Sequence, residues 1–197
     1  MKKLALVFLA GFSFATSNAQ FQFGVKAGAN FSTFTGDNVE GAKTLVGFNG
    51  GVYAKLPVTH TISVQPELVY SGQGAKGDEV GTSFSEHANY LNIPVLLKYH
   101  NFTGFFIETG PQLGFLMSAK IKEGGNSVDA KSAFNSSDFS WVFGVGYKIP
   151  TTQLAIDFRY NLGISNIADN QGNGDDKVHN GVFQIGLMYA LFSAGRK

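Results

Sequence analysis

Eight ionisable residues of this 197-residue chain stand where charge is unexpected, inside segments otherwise built of large apolar residues and glycine. They are Lys26, Lys55, Glu67, Lys98, Glu108, Lys148, Asp157 and Arg159. The pattern is plainest in "LAIDFRYNLGI" (154–164), where Leu154, Ile156, Phe158, Tyr160, Leu162 and Ile164 alternate with Asp157, Arg159 and Asn161. Strict alternation is the period of a β-strand with two unlike faces. Five cations and three carboxylates on the polar faces of neighbouring strands have two possible uses. They could line a selective pore, or they could pair with one another and fill a narrow interior. The second is expected here, because buried charges must be paired to be tolerated.

Other residues offer less chemistry. The loop "ADNQGNGDDKVHN" (168–180) carries Asp169, Asn170, Asn173, Asp175 and Asp176. Its spacing departs from the alternate ligands and closing Glu of an EF-hand, so a solvated loop is expected rather than a calcium site. His60, His87, His100 and His179 are scattered and have no metal-ligand spacing. His179 could meet Ser165 or Asp176 at one rim, as a lipid-modifying enzyme would require; this is the weakest of the readings. No metal and no cofactor is expected. The absence of cysteine removes thiolate chemistry and disulfides. A net charge of +1 gives no reason to expect a nucleic-acid partner.

The elements that must position these residues are strands throughout. The chain is 14% aromatic, contains 25 glycines, and is only 15% charged against about 25% in soluble domains. Alternating segments recur from Phe21 to Phe192, and they predict eight strands of the roughly 9–11 residues that cross a bilayer at a tilt. Tight turns are expected near 57–60, 100–102 and 149–152. Longer loops rich in Gly, Asn, Asp and Ser are expected at 35–43, 72–87, 118–137 and 165–180. Short turns at one end, long loops at the other and an even strand count describe an outer-membrane barrel.

The polar face also holds Gly24, Gly28, Gly47, Gly51, Gly110, Gly114, Gly144, Gly146, Gly163 and Gly186. Glycine weakens an exposed strand but leaves space in a crowded lumen. Aromatic residues gather toward both strand ends, as they do at the two membrane interfaces. The apolar face is therefore expected to meet lipid. Pro66, Pro94 and Pro111 fall inside predicted strands, where each deletes a ladder donor; bulges or frayed pairing, and even a flip of face, are expected there.

The first residues address the chain for export. Met1-Lys2-Lys3 is a basic start, "LALVFLAGFSF" an apolar core too short to span a bilayer, and "SNA" (17–19) a small-residue cleavage site. The domain reading is a signal peptide over 1–19 and a barrel over 20–197.

The segments "FGVKAGANFSTF", "ISVQPELVYSGQG", "YLNIPVLLKYH", "IETGPQLGFLMSA" and "DFRYNLGISNI" resemble successive strands of the PorT-like outer-membrane β-barrel (porin-family) domain family. The resemblance implies a small single-chain bacterial barrel and no single activity, with some relatives linked to protein secretion. "YALF" ends at Phe192, but Ser193 to Lys197 follow the terminal aromatic that such barrels present to the assembly machinery. The expected partners are outer-membrane lipid, that machinery, and an extracellular ligand or secretion-system component met through the loops. The expected function is a non-enzymatic all-β barrel with a plugged polar lumen in a structural, loop-display or secretion-associated role. A small solute channel is the alternative.

Overall fold

The computed structural model describes residues 21–36, 42–79, 82–123, 126–168 and 177–194. The leader expected over 1–19 lies outside them, as do Asp169, Asn170, Asn173, Asp175 and Asp176.

The described residues form nine strands: β1 Gln22–Gly36, β2 Lys43–Pro57, β3 Ile62–Glu79, β4 Thr82–His100, β5 Phe105–Glu123, β6 Asn126–Asp129, β7 Ser137–Lys148, β8 Leu154–Gly163 and β9 Val178–Ser193. All pairings are antiparallel. The order is β4-β3-β2-β1-β9-β8-β7-β5-β6, and a β4–β5 pairing closes the ring. Eight long strands make the barrel. The four-residue β6 pairs with Lys120–Glu123 on the edge of β5 that β7 occupies lower down, at Phe105–Phe115. It is an addition to the eight expected strands. Closure leaves the eight-stranded ring no open edge strand in the lipid zone, where an unpaired backbone group would cost several kcal/mol.

The two faces are inverted relative to a soluble protein. Asn30, Ser32, Ser71 and Asp157 are fully buried, whereas Phe48, Leu97, Phe143 and Leu187 are about half exposed or more. An unbroken apolar exterior around a closed ring is a lipid-facing band. The outward hydroxyl of Thr109 is satisfied within the wall. It accepts from Trp141 Nε1 at 2.8 Å and donates to the Val142 carbonyl at 3.0 Å.

Two of the outer connections carry more strand, over their described residues, than the composition predicts. Among the described residues of 72–87 the expected loop is replaced by strand. β3 and β4 stay paired from Ser71↔Tyr90 up to Glu79↔Thr82. Much of 118–137 is also strand, in β5 and β6. Above the lipid neither face needs to be apolar, so the hairpin continues without the alternation that reveals a strand in sequence.

The prolines interrupt pairing without shifting it. Pairing lapses between Tyr53↔Glu67 and Leu56↔Val64, beside Pro66. It lapses between Pro66↔Val95 and Val69↔Asn92, beside Pro94, and between Pro94↔Gln112 and Leu97↔Thr109, beside Pro111. Register resumes unchanged after each gap, so the expected flips of face do not occur. The register shifts lie elsewhere, at Phe23/Gly24, Thr44/Asn49 and Asn89/Tyr90.

Candidate functional site: the lumen and its two mouths

Six of the eight ionisable residues meet in one network across the barrel. Lys26 on β1 donates to Asp157 Oδ2 on β8 at 2.6 Å. Arg159, two residues further along β8, projects inward beside it. Its Nε lies 2.5 Å from Glu108 Oε1 and 2.6 Å from Asp157 Oδ2. Its Nη1 and Nη2 grip Glu67 on β3 through both carboxylate oxygens, at 2.8 and 2.7 Å. This fork uses the planar geometry that Arg has and Lys lacks. Lys98 on β4 stands 2.8 Å from Glu108 Oε2, with its ammonium 3.8 Å from the centre of the Phe106 ring. Gln65 donates to Glu67 Oε1 at 2.6 Å. Three cations thus oppose three carboxylates, all at most 4% exposed.

The surrounding glycines make room for this belt. A Cβ on Gly144 would stand 2.8 Å from Glu108 Oε1 and 3.1 Å from Arg159 Cγ. One on Gly186 would land on the Asp157 carboxylate, 2.7 Å from Lys26 Cε. The belt is as crowded as a protein interior, and its neighbours must be small.

Toward the long-loop end the lining is mainly of uncharged polar groups, with Asp138 a buried carboxylate there that accepts from Asn180 Nδ2 at 2.9 Å. Asn30 donates to Ser71 Oγ at 2.9 Å and accepts from Asn49 at 2.7 Å; Gln112 donates to Ser140 Oγ at 3.0 Å. Above this layer the mouth is covered by an apolar lid that the sequence reading missed. Phe34, Ala75 and Ile167 form a buried cluster, and Ala88, Tyr90, Leu116 and Ala119 form another. Phe134 packs against both, its ring centre 6.1 Å from that of Phe34. Ile167 is fully buried although it lies between strands.

Asn135 fixes the lid. Its backbone N–H donates to the Ile167 carbonyl at 2.8 Å, and its amide donates to the carbonyls of Asn166 and Ala168 at 2.9 and 3.1 Å. The signal was present as lone apolar residues in polar surroundings, Phe134 in "SAFNSS" and Ile167 in "SNIAD". No period of 2 or 3.6 singles them out.

Lys55 and Lys148 do not join the belt. They stand at the short-turn mouth, and neither has a carboxylate within ion-pair distance among the described residues. The pairing of Arg159 with Lys148's strand is therefore made through Gly144, not through that lysine.

The histidines assemble no catalytic set among the described residues. His179 Nδ1 lies 2.9 Å from the backbone carbonyl of Ser165, not from its hydroxyl. The Ser165 hydroxyl donates to Asp138 Oδ1 at 2.8 Å and accepts from the Phe139 N–H at 2.7 Å. His100 contacts Ser63 and His87 contacts Ser85, at opposite ends of β4. No group of His, Cys, Asp and Glu among the described residues could hold a metal ion.

Comparison with solved structures finds similar chains. Neisserial surface protein A, at 15% identity, aligns over 85% of this chain and 96% of its own, with a TM-score of 0.53. Ail, the attachment invasion locus protein of Yersinia pestis, is 15% identical over 87% of this chain and 99% of its own, with a TM-score of 0.49. OprG from Pseudomonas aeruginosa is 12% identical over 88% and 96%, with a TM-score of 0.40. At such identities the likeness concerns fold alone. Comparison with curated proteins finds no match. A family profile described as outer membrane protein beta-barrel domain matches residues 13–169. With the closed ring, the apolar exterior and the polar interior, this places the protein in the outer membrane, and the chain belongs to the outer membrane protein beta-barrel domain family.

Proposed function

We propose that the protein is a non-enzymatic barrel whose lumen is a structural plug and whose work is done by what it displays outside the membrane. The observation that carries this reading is that the interior is filled at two separate levels. The charge-paired belt of Lys26, Glu67, Lys98, Glu108, Asp157 and Arg159 fills the lower one. The lid of Phe34, Phe134 and Ile167 fills the upper one. Eight strands leave a bore just wide enough for side chains. Above the lipid, the β3–β4 hairpin and β5–β6 offer an ordered surface for a structural, adhesive or secretion-associated partner, since binding residues concentrate on such projections. Residues 72–87, 118–137 and 165–180 are where specificity would reside.

The in-strand prolines and the segments "QPELVYS" and "YLNIPVLLKY" support closer kinship to PorT-like barrels within the family. Residues 1–19 read as a cleaved export signal, and Phe192 near the end of β9 as the feature met by the assembly machinery.

Reconstitution of the purified barrel in planar bilayers tests the plug. No steady conductance is expected. A robust ohmic current would overturn the reading in favour of a small solute channel.

A further inference from the structure

The short-turn mouth of the lumen holds a small cavity of about 30 Å³ whose lining includes Lys55, Lys98, Lys148, His100 and the hydroxyl-bearing Tyr53. No Asp or Glu lines it. Lys98 is held from behind by Glu108, so its charge is answered within the belt. Lys55 and Lys148 have no such answer among the described residues, and they approach from β2 and β7, on opposite sides of the β3–β4–β5 arc. The belt beneath is balanced, three cations to three carboxylates. Two positive charges therefore remain at this mouth, Lys55 half-buried and Lys148 exposed. Like charges so placed repel, and a cleft lined by one sign of charge raises the local concentration of whatever anion enters. Lysine ammonium groups act as flexible point charges toward oxyanions.

We propose that this recess is a binding site for a small soluble oxyanion, of the phosphate or carboxylate type, entering from the periplasmic side. Lys55 and Lys148 close on it from two strands, with Lys98 as the third ammonium and Tyr53 offering a neutral donor. The volume exceeds the roughly 10–15 Å³ that one water requires and suits one compact anion better than a chain. The lining residues face the lumen, so the ligand comes from solution and not from a lipid headgroup. The site does not depend on the barrel being closed to conduction.

Inorganic phosphate is the probe, titrated calorimetrically into the full-length folded barrel in phosphatidylcholine nanodiscs, with chloride at matched ionic strength as the reference. Saturable phosphate binding above the chloride baseline is expected. Lys55→Gln and Lys148→Gln should each weaken it at least tenfold, the double variant should abolish it, and K55R/K148R should restore much of it. Neither lysine touches the belt, so heat-dependent gel mobility should report all variants as folded. Binding no stronger than chloride, or unchanged in the folded double variant, would overturn the proposal. Loss of the phosphate response on adding phosphatidylglycerol to the nanodiscs would overturn the soluble source.

Discussion

At the scale of single residues, Arg159 is the most consequential side chain. It contacts Glu67, Glu108 and Asp157 at once, so its removal leaves three buried carboxylates facing only Lys26 and Lys98. Arg159→Met should destabilise the barrel by about 3–5 kcal/mol, the range for stranding a buried charge. Urea unfolding in lipid vesicles measures this, and adding Glu67→Gln should recover part of the loss by removing one orphaned carboxylate. His87 tests a different effect, above the lipid. Burial, then Lys122 and Lys76, hold its pKa below the ordinary 6.5. The fold thus favours neutral imidazole. Its contribution to hairpin stability is complete above about pH 6.5 and is lost as pH falls toward the lowered value. Adjacent Glu86 has the opposite sign, because burial raises its pKa and acid relieves its cost. In an E86Q background, amide exchange at the β3–β4 tip, corrected for intrinsic rate, should quicken from pH 7 to 5.5. His87→Gln should remove that dependence.

At the scale of elements, the strands were legible wherever one face met lipid. "LAIDFRYNLGI" became β8, with Asp157, Arg159 and Asn161 turned inward, because period 2 leaves no second option once one face is apolar. The same rule failed at residues 72–87, where Gly72, Gly74 and Gly77 interrupt a polar stretch whose described residues are nonetheless paired up to Glu79↔Thr82. The prolines fray the pairing as expected but flip no face. Each opens a gap on one edge only, and the other edge holds the register. The belt was readable as a set of charged positions, but its partners were not. Which carboxylate faces Arg159 depends on shear around the ring, which no single strand encodes. Space within the belt gives an element-level test. Gly144→Val would drive a branched side chain into Glu108 and Arg159. Overpacking of this kind should cost about 1–3 kcal/mol, read as a lower unfolding midpoint, while Gly50→Ala, whose nearest contact is 3.7 Å away, should be close to neutral.

At the scale of the whole molecule, belt and lid are separate closures. A double variant Phe134→Ser with Ile167→Ser should loosen the outer mouth and speed proteolysis of the segment between β6 and β7, yet still give no steady current, because the belt below is untouched. Current from that variant alone would mean the lid is the principal barrier. The ring itself is completed by β9 pairing with β1 along Gln22–Gly36. Lys26 and Asp157 are 131 positions apart in sequence and lie on strands separated by β9. Until that last strand docks, Lys26 has no counter-charge across the seam, and both open edges would face hydrocarbon. A polypeptide truncated before β9 would therefore meet an electrostatic penalty and a backbone penalty together.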